Sequence, residues 1–223
     1  MAGWSPYSGN TVRIHRVEFL LFDLDNTLYP RSLEVVPRID RRINEYMTTR
    51  VGIPSDEVDA LRREFWKEHG TTLRGLMLHH QIDPDDYLAF VHDVDLSDLL
   101  RRDLTLRSIL EQAPGRKIVF TNASRSHAAQ VLGLLDVENA FEAVFSLEAL
   151  DYVPKPLPQA YEIVLGRLGA RGEECMLVED SRKNLVPAKG LGMRTVWISD
   201  PAPADDVVDH VIPSIHEIAT VLR

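Results

Sequence analysis

A chain of 223 residues is long enough to bury a core and to hold one domain, or one domain carrying an insert. Its 44% apolar and 26% charged residues are those of an ordinary globular protein. A formal net charge of −9, with no Lys/Arg-rich run, argues against a nucleic-acid polymer or an anionic membrane as partner. The single cysteine, Cys175, excludes an intramolecular disulfide and a cysteine metal cluster, and within the apolar run CMLVE it reads as a buried core thiol. No apolar run approaches the roughly 20 residues that cross a bilayer. The opening MAGWSPYSGN lacks the basic patch and apolar stretch of a secretory signal, so it reads as a short tail on a cytoplasmic protein.

In chain order, the first predicted strand is VEFLLF (17–22), which runs directly into the acidic turn Asp23-Leu24-Asp25-Asn26-Thr27. From 31 to 103 only helical patterns follow, at 34–52, 55–70, 72–80 and 83–94. Ser55 is the expected N-cap of the second, with Val58 and Leu61 beginning its apolar face. Strands then resume at KIVFT (117–121), AVFSL (143–147), CMLVE (175–179) and RTVWIS (194–199), with a weaker one in DHVIPS (209–214). Amphipathic helices at 126–137 and 158–169 separate them. This alternation predicts an α/β fold, a Rossmann-like parallel sheet with helices on both faces. The expected division is a core of residues 1–30 and 104–223, with an all-helical cap of residues 31–103 inserted after the first strand.

Ligands of an open parallel sheet bind outside the carboxyl ends of its strands, so polar residues there carry the information. Four ends stand out: Asp23 and Asp25; Thr121 and Asn122; Lys155 in YVPKP; and Glu179, Asp180 and Ser181 with Asn184 following. Each alone has a plain reading, as a turn, a linker lysine or a helix cap. All four in succession suit a phosphate bound beside Mg²⁺, with carboxylates on the metal, and lysine, hydroxyl and amide donors on phosphate oxygens. A carboxylate can also act as the nucleophile, forming an aspartyl-phosphate.

DLDNT, TN, Lys155 and EDSRKN resemble, in order, the four motifs of the haloacid dehalogenase-like hydrolase superfamily. The resemblance implies Asp23 as nucleophile and Asp25 as general acid/base. It implies Thr121 and Asn122 as phosphate binders, with Lys155 stabilising the phosphate's charge. Mg²⁺ would be held by the Asp23 carboxylate, the Asp25 backbone carbonyl and Asp180, with Glu179, Ser181 and Asn184 around them. The second acid, Asp25, favours phosphate chemistry over carbon–halogen chemistry. The insert resembles the α-helical cap found after the first motif in many members.

The continuation NTLYP and the segment EHGTTLRGLM (68–77) are similar to the pyrimidine 5′-nucleotidase-like branch, which implies UMP or CMP as substrate. The alternatives are another small phosphorylated metabolite (a sugar phosphate, phosphoglycolate, FMN or pyridoxal phosphate), a phosphomutase, or a non-catalytic phosphate binder. A monomer or a homodimer is expected. In the cap, Arg74 is the first candidate for a substrate contact, ahead of Tyr46, Phe65, Trp66, His79 and His80. Phe65 and Trp66 read as core of the helical unit. His79 and His80 diverge by about 100° on a helix and do not form a metal pair. Asn26 and Tyr29 follow the nucleophile closely and would shape the entry to the cap. His69, His92, His127 and His210 show no constellation.

Overall fold

The computed structural model describes residues 17–200 and 205–222; the N-terminal tail read from the sequence lies outside them. The elements run β1 (Phe19–Phe22), α1 (Val35–Tyr46), α2 (Val58–His69), α3 (Thr72–His80), α4 (Pro84–Val91), α5 (Leu104–Gln112), β2 (Arg116–Phe120) and α6 (Arg125–Leu135). They continue as β3 (Ala143–Phe145), α7 (Pro158–Leu168), β4 (Cys175–Glu179), α8 (Arg182–Gly190), β5 (Arg194–Ile198) and β6 (His210–Ile212).

The six strands form one parallel sheet in the order β3-β2-β1-β4-β5-β6. The chain builds outward from β1 to β2 and β3, then returns to the other side of β1 to place β4, β5 and β6. The order therefore reverses at β1 and β4, which is where an open α/β sheet forms its crevice. Phe22 stands level with Val119 on β2 and Val178 on β4, so the residues just beyond these three strands meet at one height.

Both faces of the sheet are buried. Leu20, Phe22, Val119, Met176, Val178 and Val196 pack on one face, together with α5, α6 and the helical segment. Phe19, Leu21, Ile118, Phe120, Cys175 and Leu177 pack on the other against α7 and α8. This two-sided burial is why the strands read as unbroken apolar runs rather than alternating ones. Cys175 is the core thiol expected, and burial pushes its pKa up to about 12.

Between β1 and β2 every regular element is helical, as the sequence pattern predicts. Two local details differ. The first helix ends at Tyr46 and loosens into a π-turn over Met47–Val51. Ser55 is not the N-cap of α2; a turn closed by the Glu57 N–H on the Pro54 carbonyl (2.9 Å) comes first, and the helix starts at Val58.

The segment EHGTTLRGLM owes its composition to two close approaches. Gly70 ends α2 with φ +86°, and a Cβ there would lie 3.1 Å from both the Lys155 carbonyl oxygen and Pro156 Cδ. Thr71 then caps α3, its hydroxyl accepting the Arg74 N–H at 3.2 Å. Gly75 faces the Phe65 ring, where a Cβ would come within 2.1 Å of Cγ. Gly75→Ala is therefore expected to wedge α3 from α2 and to cost about 1–3 kcal/mol, measured by urea unfolding.

Candidate active site

The site gathers at the carboxyl ends of β1, β2 and β4. Lys155 is fully buried, and its ammonium donates to Asp23 Oδ1 at 2.8 Å, Glu179 Oε2 at 2.7 Å and the Phe120 carbonyl at 2.7 Å. That uses all three of its hydrogens. Asp23 Oδ2 accepts the Thr27 hydroxyl at 3.1 Å, and Glu179 Oε1 accepts the Ser181 N–H at 3.1 Å. Ligand oxygens of Asp23, Glu179 and Asp180 all lie within 4.8 Å of one another.

One buried ammonium cannot balance three carboxylates. Burial first, then the neighbouring charges of Asp180 and Asp25, push Asp23 up to about 6 despite its lysine. Burial and the adjoining Asp23 push Glu179 up to about 8. Lys155 moves upward too, because its two carboxylate partners outweigh its own desolvation.

Asp25 is held differently. Its Oδ1 accepts from His127 Nε2 at 2.7 Å and from the Tyr29 hydroxyl. Burial pushes its pKa up, but His127 and Tyr29 outweigh burial and hold the carboxyl below its ordinary value. His127 is buried in the first turn of α6, and the His92 ring stacks on it at 4.6 Å. Burial and His127 push His92 down to about 3. The sequence had left both histidines without a constellation. The signal was present: His127 stands four residues before Val131 on the buried stripe of α6, a polar residue at an apolar position.

A cavity of about 310 Å³ opens over these residues and is shared between the strand ends and the helical segment. Asp23, Asp25, Asn26, Thr121, Asn122, Lys155, Glu179, Asp180, Ser181 and Asn184 all line it. The opposite wall is apolar, with Val36, Ile39, Ile43, Leu88 and Val91. Arg62, Asp40 and Tyr87 interrupt that wall. Arg62 bonds Asn44 Oδ1 at 2.6 Å and pairs with Asp40, while its buried Nε has no partner among the described residues.

Three expectations about individual side chains are corrected. Arg74 sits in the first turn of α3 and does not line the cavity; Arg62 takes the cationic position instead. Trp66 is not core. It is 54% exposed at the cavity rim, with Lys183 Nζ 3.1 Å from its ring centroid. The Asn122 side chain is not given wholly to phosphate, since it accepts the Lys155 N–H at 2.8 Å and donates one amide hydrogen to the Lys155 carbonyl at 2.9 Å. It fixes the backbone from which the lysine projects.

The remaining candidate contacts of the helical segment, Tyr46, Phe65, His79 and His80, do not line the cavity either. Phe65 is buried, and Tyr46 is buried with its hydroxyl on Asp86 at 2.9 Å. His79 and His80 do not pair with each other; His79 meets His69 instead, with their Nε2 atoms 3.0 Å apart. Asn26 takes φ +61° and lines the cavity.

A model of the haloacid dehalogenase-like hydrolase family matches residues 17–192. The chain belongs to this family. It is 26% identical over 187 residues to Phosphate metabolism protein 8 of Saccharomyces cerevisiae, a match covering 77% of this chain and 58% of that one. It is 26% identical over 189 residues to the phosphoglycolate phosphatase of Pectobacterium atrosepticum, covering 81% and 79%. The crystal structure of CbbY from Rhodobacter sphaeroides in complex with phosphate superposes with a TM-score of 0.63 at 20% identity, covering 91% of this chain and 96% of that one. The chain thus spans a little over half the length of the yeast relative.

The donor set of this haloacid dehalogenase-like chain fits a hard cation. Asp23, Glu179 and Asp180 supply the carboxylate oxygens, and those of Asp23 and Glu179 also accept from protein donors. Among the described residues the Asp180 carboxylate accepts only on Oδ2, from Arg31 at 2.7 Å. Asn184 Oδ1 is buried with no partner among the described residues. Unspent oxygens and excess negative charge are what a small divalent cation takes up. No helix among the described residues is long and apolar enough to cross a membrane.

Proposed function

We propose that the protein is a Mg²⁺-dependent phosphatase of small phosphomonoesters acting through an aspartyl-phosphate. The observation that carries this reading is Asp23, buried against a fully buried lysine at the floor of a cavity, with a second acid two residues on. Residues 31–103 are the proposed cap and residues 1–30 and 104–223 the core, with the substrate between them.

Asp23 attacks phosphorus in line, and the bond from phosphorus to the leaving oxygen breaks. Asp25 gives that oxygen a proton. A phosphate dianion entering beside Asp25 adds negative charge that raises its proton affinity, offsetting the depression caused by His127 and Tyr29. Once deprotonated, Asp25 takes a proton from water, whose oxygen attacks the phosphorus and frees Asp23 and inorganic phosphate. Lys155 meets the charge carried by the transferring group, and Thr121 borders it from the end of β2. Asp23, the Asp25 carbonyl and Asp180 would hold Mg²⁺, which supplies charge neutralisation for the phosphoryl oxygens.

The apolar wall opposite the acids suits a flat ring better than a polyol chain, and Arg62 with Asp40 offers a donor beside an acceptor. A pyrimidine nucleoside 5′-monophosphate, UMP or CMP, is therefore the proposed substrate. The likeness to a phosphoglycolate phosphatase favours a smaller acid phosphate as the second reading. A phosphate-release screen with Mg²⁺ separates them. Preference for UMP or CMP over phosphoglycolate, sugar phosphates, FMN and pyridoxal phosphate supports the first. A different best substrate overturns the nucleotide assignment, and no release from any overturns the phosphatase.

Metal binding gives a pH-dependent signature. Asp23 and Glu179 have folded pKa values above their unfolded ones, so their contribution to stability is full below about pH 4 and lost as pH rises through about 6 and 8. His92, with its pKa depressed, acts oppositely but only below about pH 6.5. Between pH 6.5 and 8.5 the metal-free protein should therefore lose Tm, and the increment from added Mg²⁺ should grow. Thermal melts at several pH values with and without Mg²⁺ check this; an increment that falls with pH contradicts it.

A further inference from the structure

The two acids of the cavity are supported in different ways. Asp23 is held by a lysine and a threonine, one on each oxygen. Asp25 receives both of its side-chain donors, His127 Nε2 and the Tyr29 hydroxyl, on Oδ1 alone. Among the described residues Oδ2 carries no hydrogen bond, and Asp25 lines the cavity.

The donor groups are themselves fixed. The His127 side chain is wholly buried, and the residue's N–H bonds the Ser124 hydroxyl at 3.2 Å, which caps α6. Its ring is covered by the His92 ring at 4.6 Å and 26°. Tyr29 is also buried. His127 Nδ1 has no partner among the described residues, so the polar capacity of the ring is spent on Asp25 only. A histidine chosen merely to fill space would leave no reason to bury an unpaired nitrogen, which costs free energy.

We propose that His127 is a positioning residue for the acid: with Tyr29 it pins Oδ1 of Asp25, so that Oδ2 is the oxygen presented to the leaving group. The proposal rests on the phosphatase reading above. Proton transfer needs hydrogen-bond distance and alignment, and loss of about 1 Å of placement costs about two orders of magnitude in rate. His127 lies 102 positions along the chain from the acid it holds.

Leaving-group dependence tests this. An alkyl phosphate needs a proton on its departing oxygen, whereas p-nitrophenyl phosphate departs as a stabilised phenolate and needs little help. Wild type, His127→Phe and His127→Gln would be compared on both substrates through kcat/KM, which reports the steps up to departure of the leaving group. Gln keeps an N–H at the reach of Nε2, and Phe keeps the ring without a donor. His127→Phe should lower kcat/KM on the alkyl phosphate by about 30-fold or more, yet on p-nitrophenyl phosphate by less than about threefold. His127→Gln should recover most of that loss.

Equal losses on the two substrates, or a Gln variant no better than Phe, overturn the proposal. If His127→Phe does not fold, Tyr29→Phe removes only a hydroxyl and must show the same substrate-selective loss in a smaller size; an unselective result there overturns it equally. A wild type that releases phosphate from neither substrate brings down the phosphatase reading itself, and is thereby distinguished from a selective failure at His127.

Discussion

Asp23→Asn is expected to abolish turnover, by about 10⁴-fold or more in kcat, while the protein stays folded. The amide cannot attack phosphorus, so no aspartyl-phosphate forms. The local hydrogen bonds survive: the amide oxygen still accepts from Lys155, and the amide NH₂ can donate to the Thr27 hydroxyl. Removing one of several crowded carboxylates also relieves repulsion. Wild-type Asp23 contributes stability that disappears as pH rises through about 6, and asparagine does not titrate. Without metal, the variant's Tm should therefore match wild type near pH 5 and exceed it near pH 8. Phosphate release and paired melts at the two pH values measure both halves. Retained activity refutes Asp23 as nucleophile, and a variant that melts far below wild type at pH 8 refutes the charge argument.

The charge-bearing strand ends were legible because a parallel sheet puts every strand's carboxyl end on one side. Polar residues after apolar runs therefore bring Asp23, Thr121, Lys155 and Glu179 together from sequence alone. The helical segment was equally legible from its period. What stayed hidden were contacts made by side chains across long sequence separations. Trp66 looks like core by type, but its neighbour Phe65 takes the buried position and turns Trp66 outward to the rim. Arg62 follows Val58 by four residues and precedes Phe65 by three, a charged residue within the inward stripe of α2, and that misplacement was its signal. Gly70 and Gly75, on either side of Arg74, are there for close approaches to Lys155 and Phe65. Asn122 shows the same principle from the other side. The motif residue is in place, but its amide reads the lysine backbone 33 residues away.

Lys155→Met should damage both activity and stability, and the second effect should depend on pH. The side chain is fully buried with two carboxylates and a carbonyl on its ammonium, so methionine fills the volume and removes the buried cation that contacts Asp23. Breaking a buried pair by deleting one partner costs about 3–5 kcal/mol when the other charge stays ionised. Here the carboxylates have an escape. Asp23 and Glu179 are already raised to about 6 and about 8 with the lysine present, and without it they rise further and bind protons at neutral pH. The loss of stability should then be small near pH 5 and approach the full penalty near pH 8.5, read from urea unfolding at each pH. A protonated Asp23 is a poor nucleophile, and the transferring phosphoryl group loses its counter-charge, so kcat should fall by about 10³-fold or more at pH 7. Lys155→Arg should not rescue it, because the planar fork is too large for a site with no exposed surface and cannot reproduce three bonds from one nitrogen. A Met variant equally destabilised at both pH values would mean that Asp23 and Glu179 stay charged without their lysine, and the excess negative charge invoked for metal binding would then have to be counted again.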